Sequence, residues 1–333
     1  MKLIRKFLFF ISPLYYMVSF IRNLLYDTSL IKSTKFNLPV IGIGNLAIGG
    51  TGKSPMTEYL INLLSNEFDI ATLSRGYGRK TNTFKIATKD STHFDIGDEP
   101  LQFYNKYDNL IVSVDNNRVN GIKNLLQIAT PPDVILLDDS YQHRKLIPGL
   151  SILLSDYSNL YYDDYILPFG DLREPRSSSK RADIIIVTKC PNNLSNSKKL
   201  YIKSKLQLKV SQKLFFSSVD YSKNVFIGNK SVEFINFITQ KFTLVTGLAN
   251  SNHLVNYLSE NNCDFNHIKF KDHHNYKSKD LDNVDNNGNI LTTEKDYAKL
   301  IETFPERNIY YLPIKVGVES KQEFDKIILN YCR

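Results

Sequence analysis

The stretch Val40–Leu64, VIGIGNLAIGGTGKSPMTEYLINLL, contains an apolar segment, a glycine-rich segment and a helical segment in direct succession. The apolar run Val40–Ile43 is typical of a strand that is buried on both faces of a sheet. Helical spacing begins near Pro55, directly after the glycines. A strand, a glycine loop and a helix in this order predict a phosphate-binding loop within an α/β fold.

The glycine loop, residues 45–54, matches the pattern G-x-x-x-x-G-K-[ST] except that Ala47 stands at its first position. Its glycines let backbone N–H groups converge on phosphate oxygens, while Lys53 reaches the terminal phosphates and the Ser54 hydroxyl ligates Mg²⁺. A glycine-rich turn with a solvated lysine is the alternative, which the flanking strand and helix disfavour. The predicted nucleotide-binding residues are Gly49, Gly50, Thr51, Gly52, Lys53 and Ser54.

A second apolar run, Val134–Leu137, ends in the two carboxylates Asp138 and Asp139. P-loop enzymes hold Mg²⁺ with an aspartate at such a strand end, which is where parallel sheets place their ligands. Aspartates after a strand often serve only as caps, so the pair is a weak signal when it is taken alone. Together with the glycine loop it predicts a Mg²⁺ site, with either carboxylate as the ligand.

Apolar runs continue along the chain and alternate with helical stretches. The predicted strands are Val40–Ile43, Ile70–Leu73, Leu110–Val114, Val134–Leu137, Ile152–Leu154, Ile184–Val187, Phe242–Val245, His267–Phe270, Ile290–Thr292 and Ile309–Leu312. We therefore predict an α/β protein with a P-loop NTPase-type, mostly parallel sheet and helices on both faces. This P-loop domain spans residues 37–195, a linker with a β-hairpin spans 196–240, and a smaller C-terminal α/β domain spans 241–333.

Length and composition describe an ordinary globular protein: 333 residues, 42% of them hydrophobic, with a net charge of +8. The three cysteines are too far apart for a CxxC metal pair, which favours a reducing compartment and no structural zinc. Residues 1–35 carry five of the eight net positive charges, so the remaining chain has no basic domain for nucleic acid. Nothing in the composition indicates a protein partner.

The N-terminal segment, residues 1–36, contains 15 uncharged, aromatic-rich residues, Phe7–Ile21, between two basic clusters. As a helix this run is about 22 Å long, which is too short for a hydrocarbon core of about 30 Å. Pro13 is expected to break or kink the helix. Apolar residues recur on one helical face, namely Leu14, Met17, Val18, Ile21 and Leu25.

This pattern predicts an amphipathic membrane helix that lies in the interface of an anionic membrane surface. Two alternatives remain open for the same residues. A signal peptide also has a basic start and an apolar run, but no small-residue cleavage site follows. A helix that packs on the protein core would have the same periodicity.

Seven polar segments, most of them directly after predicted strands, carry a resemblance to a known family. They are GNLAIGGTGKSP (44–55), SRGYGR (74–79), GDEP (97–100), DDSYQHR (138–144), LREP (172–175), DHH (272–274) and TEKD (293–296). In this order they resemble the tetraacyldisaccharide 4'-kinases of lipid A biosynthesis over nearly the whole chain. Ser140 stands where this family frequently has glycine, so a positive φ is disfavoured at that turn.

The resemblance implies a membrane-associated P-loop kinase with ATP and Mg²⁺ as cofactors. Such an enzyme transfers the γ-phosphoryl group of ATP to the 4' hydroxyl of a tetraacyldisaccharide 1-phosphate, a lipid A precursor in lipopolysaccharide biosynthesis. The implied location is the cytoplasmic face of the bacterial inner membrane, with the protein peripheral or monotopic. The implied partners are the lipid precursor and the anionic membrane surface.

The resemblance also assigns roles to individual residues. Asp98 becomes the general base, assisted by His273, with Lys53 as a further catalytic residue and His274 as a bystander. From the residues alone, the favoured interpretation of Asp98 is the N-cap of a helix before Glu99 and Pro100, and only the resemblance reverses it.

Four more residues take site roles from the resemblance: Arg75, Glu99 and Arg173 toward substrate or phosphate, and Glu174 toward the metal. Arg118 and Arg144 remain either site residues or surface charges. A membrane-associated P-loop ATPase or GTPase switch is the alternative function. It is disfavoured because a switch needs no acceptor-activating base.

Overall fold

The computed structural model describes residues 8–248, 250–272 and 274–333, so the predicted catalytic His273 lies outside the described residues. The chain forms two compact units. The first extends to Val219 and also includes Val316–Arg333, and the second is Asp220–Lys315. This division differs from the predicted boundaries, because residues 196–219 and 316–333 belong with the first unit.

A nine-stranded sheet forms the centre of the first unit, in the order β15-β8-β7-β6-β1-β5-β2-β4-β3. Its strands are β1 (Val40–Asn45), β2 (Ile70–Ser74), β3 (Lys85–Ile86), β4 (Ile111–Val114), β5 (Val134–Leu137), β6 (Leu150–Asp156), β7 (Ile184–Thr188), β8 (Lys213–Tyr221) and β15 (Ile314–Val318). Strands β4, β2, β5, β1, β6, β7 and β8 pair in parallel, and β3 pairs antiparallel with β4. The predicted parallel sheet is therefore confirmed.

The helices of the first unit are α1 (Ser12–Asp27), α2 (Lys53–Leu64), α3 (His93–Ile96), α4 (Asp98–Lys106), α5 (Arg118–Leu125), α6 (Asn196–Leu206) and, at the C-terminus, α10 (Lys321–Cys332). Those that pack on the sheet cover both of its faces. In β5, Val134 and Leu136 pack in the same core cluster as α2 and α10, while Ile135 and Leu137 pack with α5. Alternate residues of one strand thus face two cores, which explains why the strands are continuously apolar.

Strand β1 lies between β5 and β6, with its glycine loop at the carboxyl end. The chain passes from β1 to the β2 side of the sheet and later, after β5, to the β6 side. The order of the strands therefore reverses beside β1. Open α/β sheets bind ligands at such a reversal, at the carboxyl ends of the strands.

The second unit contains a six-stranded sheet in the order β10-β9-β14-β13-β11-β12. Its elements are β9 (Asn224–Ile227), β10 (Lys230–Glu233), α7 (Phe234–Phe237), β11 (Phe242–Thr246), α8 (Asn252–Glu260), β12 (Phe265–Lys269), β13 (Asn289–Thr292), α9 (Glu294–Thr303) and β14 (Ile309–Tyr311). Strands β11 to β14 are parallel, and β9 and β10 form the predicted hairpin.

Helix α1 begins at Ser12 after a 3₁₀ turn, Leu8–Ile11, and Pro13 lies in its first turn. The prediction that Pro13 interrupts the helix is therefore wrong, since proline is tolerated where the N–H has no intrahelical partner. The large apolar side chains of α1 are exposed, for example Leu14 at 57% and Val18 at 59%. Among the described residues, no helix combines the length and the apolar character that crossing a bilayer requires.

Candidate active site

The glycine loop lies between β1 and α2, and two of its glycines have backbone conformations that side chains disfavour. Gly49 has φ +103° and Gly52 has φ +86°. A side chain built at Gly49 or Gly50 would meet no atom within 4 Å, so open space lies beside the loop where phosphates would approach. Lys53 and Ser54 follow as the first two residues of α2. The predicted phosphate-binding loop has the local geometry that its sequence requires.

Residues at the carboxyl ends of β1 and β7, two strands separated by β6, hold the glycine loop in place. Asn45, at the end of β1, donates its side-chain amide to Thr51 Oγ1 at 2.7 Å. Thr188, at the end of β7, donates its hydroxyl to the Thr51 carbonyl at 2.8 Å. Lys189 donates to the Gly50 carbonyl and forms a 2.7 Å ion pair with Asp156. These contacts constrain the conformation of the loop, which lowers the entropic cost of binding a ligand.

Asp139 is the electrostatic centre of the site. Its Oδ1 lies 3.7 Å from Lys53 Nζ, and Arg173 donates to both carboxylate oxygens at 2.9 and 3.3 Å. Burial alone raises the pKa of Asp139, but Lys53 and Arg173 outweigh it and lower the pKa to about 2. Asp139 itself has φ +46°, so the left-handed residue of this turn is Asp139 and not Ser140.

Asp138 is buried beside it in a different environment. Burial, together with the charges of Asp139 and Glu99, raises the pKa of Asp138 to about 7 against the opposing effect of Lys53. Among the described residues its Oδ1 has no hydrogen-bond partner. A buried carboxylate oxygen of this kind is a position that a cation would stabilise.

The segment that contains Asp98 packs against the segment that contains Arg75, and the contact is made at Gly97 and Gly76. A side chain at Gly97 would lie 2.9 Å from the Tyr77 carbonyl oxygen, and one at Gly76 would lie 2.5 Å from the Ile96 carbonyl oxygen. Their backbones therefore pack directly on each other, with Gly97 at φ +92°. Asp98 is the first residue of α4, so the N-cap position belongs to Gly97 and the capping alternative for Asp98 is wrong.

Arg118 is buried at the start of α5, with 3% of its surface exposed, so the surface-charge alternative for Arg118 is wrong. Burial lowers the pKa of Arg118 to about 10, while the nearby charges of Asp139 and Asp138 favour its protonated form. The Arg118 backbone N–H donates to His143 Nε2 at 3.3 Å. Burial and the charge of Arg118 lower the pKa of His143 to about 4, so His143 is neutral at pH 7. Arg75 is exposed, within electrostatic range of Arg118.

Glu174 is fully buried and accepts hydrogen bonds from Arg181 at 2.8 Å and from Asn23 of α1 at 3.1 Å. The described residues contain no group of three His, Cys, Asp or Glu side chains close enough to hold a metal ion. Glu174 therefore does not join Asp138 and Asp139 in one cluster. Its predicted role as a metal ligand gains no support from this geometry.

In the second unit, His274 is held within its own loop. Its Nε2 lies 2.7 Å from Asp280 Oδ2, and its ring stacks on Phe270 with centroids 4.5 Å apart. Asp272 pairs with Lys295 at 3.2 Å. These contacts agree with His274 as the bystander of the DHH segment, because its ring is committed to structural partners.

Four residues near the glycine loop were missing from the predicted site: Asn45, Gln142, Thr188 and Lys189. Gln142 donates to the Asn45 carbonyl at 2.9 Å, beside the two contacts of Arg173 with Asn45. Thr188 and Lys189 directly follow the predicted strand Ile184–Val187. Polar residues at the carboxyl end of a parallel strand face the edge of the sheet where ligands bind, so their position could have identified them.

The residues present fit a magnesium-bound nucleotide. Asp138 supplies a buried oxygen without a partner in the described part of the chain, and Asp139 and Ser54 supply further oxygen ligands of the kind that Mg²⁺ prefers. Magnesium commonly uses one or two carboxylates together with phosphate oxygens and water, so a pair of aspartates suffices.

Comparison with known proteins gives consistent matches over the whole length. A family model described as tetraacyldisaccharide-1-P 4'-kinase matches residues 4–333. A tetraacyldisaccharide 4'-kinase of Flavobacterium johnsoniae is 45% identical, over 100% of this chain and 98% of its own length. One of Bacteroides fragilis is 40% identical, over 99% and 94%. A crystal structure of LpxK from Aquifex aeolicus in complex with ATP superposes with a TM-score of 0.80 at 27% identity, covering 99% of this chain and 100% of that one.

Proposed function

The chain belongs to the tetraacyldisaccharide 4'-kinase family, and we propose that it transfers the γ-phosphoryl group of ATP to the 4' hydroxyl of a tetraacyldisaccharide 1-phosphate in lipid A biosynthesis. The observation that carries this function is the glycine loop at the strand-order reversal, with Lys53 and the Asp138–Asp139 pair beside it. Phosphoryl transfer needs positioning and neutralisation of the triphosphate charge more than covalent participation of the protein. The backbone N–H groups of residues 49–54 and the Lys53 ammonium supply that neutralisation.

Ser54, Asp138 and Asp139 are the residues that would hold Mg²⁺ in this proposal. When bound, the ion would neutralise negative charge on the phosphates of the nucleotide. Nucleotide phosphates beside Lys53 replace part of its interaction with Asp139, 3.7 Å away, and Arg173 keeps the carboxylate of Asp139 oriented. Glu174 is left out of this set because its partners are Arg181 and Asn23.

We assign activation of the acceptor to Asp98, with the assistance of His273 that the resemblance implies. The carboxylate of Asp98 would accept the proton of the 4' hydroxyl as the oxygen attacks the γ-phosphorus and the bond from that phosphorus to the departing ADP breaks. The close packing of Gly97 on Gly76 supports this role, since it fixes the start of α4 from which Asp98 projects. Arg75 and Glu99 lie in the two segments that this packing joins and are assigned to the bound phosphates or the disaccharide.

The exposed face of α1 binds the membrane that contains the lipid acceptor. Its apolar residues continue into Phe9, whose ring packs edge to face on Phe169 with centroids 5.4 Å apart. Residues 1–35 carry five of the eight net positive charges, which favours an anionic bilayer surface. We assign the protein to the cytoplasmic face of the bacterial inner membrane, because ATP is supplied on that side.

A transfer assay with γ-labelled ATP, Mg²⁺ and the disaccharide 1-phosphate in mixed micelles tests this function. Wild type should produce labelled lipid. Lys53→Ala should lower the rate about 10²–10³-fold because it removes one positioned cation from the transferred phosphoryl group, and Asp98→Ala about 10²–10⁴-fold because it removes the base. Lys203→Ala, which changes an exposed lysine of α6, is the matched control and should leave the rate unchanged.

Two results would contradict the proposal. Wild-type protein that hydrolyses ATP or GTP rapidly without the lipid, and labels no lipid when it is present, would identify a P-loop switch instead. An Asp98→Ala variant with wild-type turnover would refute the assignment of the base, whatever the activity of the Lys53 variant.

A further inference from the structure

Helix α1 docks on the protein through its polar face. Its buried residues are Ser12, Ser19 and Asn23, whereas amphipathic helices of globular proteins normally bury the apolar face. Ser12 Oγ accepts a hydrogen bond from the Phe169 N–H at 3.1 Å. Hydrogen bonds require defined distances and angles, so this mode of docking fixes the position of the helix more strictly than apolar contact does.

Asn23 is the most connected residue of that face, with 6% of its surface exposed. Its amide nitrogen donates to Glu174 Oε2 and to Ser178 Oγ, both at 3.1 Å. Its amide oxygen accepts from Arg144 Nη1 at 3.3 Å. A single side chain of α1 therefore joins two separate segments of the chain, residues 138–144 and 172–178.

The same two segments contain Asp139, the electrostatic centre of the site, and Arg173. Arg173, which orients Asp139, directly precedes Glu174, and its backbone carbonyl accepts a hydrogen bond from Tyr15 Oη at 3.1 Å. The Gln142 carbonyl accepts from Arg22 at 2.5 Å, while the Gln142 side chain donates to Asn45 at the end of β1. Arg173 thus links α1 to Asp139, and Gln142 links α1 to Asn45, whose side chain contacts the glycine loop.

We propose that α1 transmits membrane binding to the active site and that Asn23 is the positioning residue of this connection. When the apolar face enters the bilayer interface, the docked position of α1 is stabilised. Asn23 then holds Glu174 in place, and the adjacent Arg173 keeps Asp139 oriented. Phosphoryl transfer is therefore faster on a membrane than in solution, beyond what concentrating the acceptor achieves. This inference rests on the proposed function.

Removing the Asn23 side chain should destabilise the buried carboxylate of Glu174, which has few hydrogen-bond partners. The second carboxylate oxygen of Glu174, Oε1, has no hydrogen-bond partner in the described part of the chain. Without the Asn23 amide the buried carboxylate retains Arg181 alone, and the segment that contains Arg173 relaxes.

The test uses the full chain, a water-soluble short-chain acceptor and vesicles of phosphatidylethanolamine and phosphatidylglycerol. Added vesicles should stimulate wild-type transfer severalfold. Asn23→Ala should lower kcat about tenfold on vesicles and abolish the stimulation, with ATP affinity and vesicle co-sedimentation unchanged. Asn23→Gln, which keeps an amide, should restore part of the stimulation. Asn124→Ala on α5, whose amide donates to the Asn120 carbonyl of the same helix, is the control.

Tyr15→Phe is a second test in case Asn23→Ala does not fold. It removes a single oxygen from a partly exposed side chain and should leave the fold intact. It should lower the stimulation about twofold to fivefold through the lost bond to the Arg173 carbonyl. Wild-type stimulation in both Asn23→Ala and Tyr15→Phe would overturn the inference while leaving the kinase function intact. No transfer by wild type would overturn the proposed function instead, and stimulation without vesicle binding would overturn the role of α1.

Discussion

The two terminal helices of the first unit, α1 and α10, have similar amphipathic sequences but dock in opposite ways. Helix α10 buries Phe324, Ile328 and Cys332 against the central sheet. Helix α1 buries only polar residues and leaves its apolar face exposed. Periodicity identifies an apolar face in both, but only the packing shows whether the protein itself covers that face. An apolar face that remains uncovered is available to a second apolar phase, such as a bilayer.

The largest expected effect concerns the apolar face of α10, which the protein itself buries. Phe324 is fully buried, and its ring lies against Phe215 and Tyr59 with centroids 5.2 and 5.7 Å away. Phe324→Ala should lower the free energy of unfolding by about 3–5 kcal/mol, measured by urea denaturation. Phe94→Ala, at a phenylalanine that is 44% exposed, is the control and should cost far less. A loss below about 1 kcal/mol at Phe324 would mean that α10 contributes little to the core.

The uncovered face of α1 should respond in the opposite way. Replacing both Leu14 and Val18 with serine should weaken binding to anionic vesicles by about 2–3 kcal/mol, since two apolar side chains no longer enter the interface. The free energy of unfolding should change by less than about 0.5 kcal/mol. Leu200→Ser, at a leucine of α6 that is 66% exposed, should leave vesicle binding unchanged. A destabilised protein with normal vesicle binding would indicate a core helix.

Acid should lower the free energy of unfolding through protonation of His143. This residue directly follows Gln142, whose carbonyl accepts a hydrogen bond from Arg22 of α1. Its folded pKa of about 4 lies below the unfolded value near 6.5, so protonation favours the unfolded chain. The stability that His143 confers is complete above about pH 6.5 and is lost as the pH falls toward 4. Partial exposure reduces this loss to about 1–2 kcal/mol.

His143→Gln should flatten the corresponding slope of unfolding free energy between pH 4 and 6.5, measured by denaturant titration at several pH values. An unchanged slope in the variant would assign the pH dependence to other groups.

The smallest expected effect lies at the exposed end of α10. Arg333 pairs there with Glu67 at 2.8 Å, and both side chains are largely exposed. Arg333→Ala should cost only about 0.2–1 kcal/mol in thermal or urea unfolding, and 1 M salt should remove most of the difference. A larger, salt-independent loss would show that packing of the arginine stem dominates.

Most of the central sheet was predictable because its strands are buried on both faces. Runs such as Val134–Leu137 and Ile184–Val187 need no tertiary information to be identified as buried strands. Strand β8 was missed because it is only half buried, with exposed and buried positions interspersed, and it lies among lysines and serines. The return of the chain to the first unit through β15 and α10 was also missed, since pairing between strands distant in sequence leaves no local pattern.

The candidate site divides in the same way. Lys53 and the pair of aspartates follow from local motifs, because each lies at the end of an apolar strand or the start of a helix. The left-handed backbone of Asp139 was not predicted, because the sequence does not specify which residue of a turn takes a positive φ. Lys189 and Asn45 were missed because their roles depend on neighbouring strands.

The sequence by itself determined the α/β class, the phosphate-binding loop and the resemblance to a kinase family, because strand burial and loop chemistry are local properties. Only the tertiary structure decided that α1 docks by its polar residues, that Glu174 pairs with Arg181 and Asn23, and that Arg173 orients Asp139. These contacts join residues more than 30 positions apart, except Arg181 and Glu174. Their partners are chosen by the geometry of the packed chain, which no short segment contains.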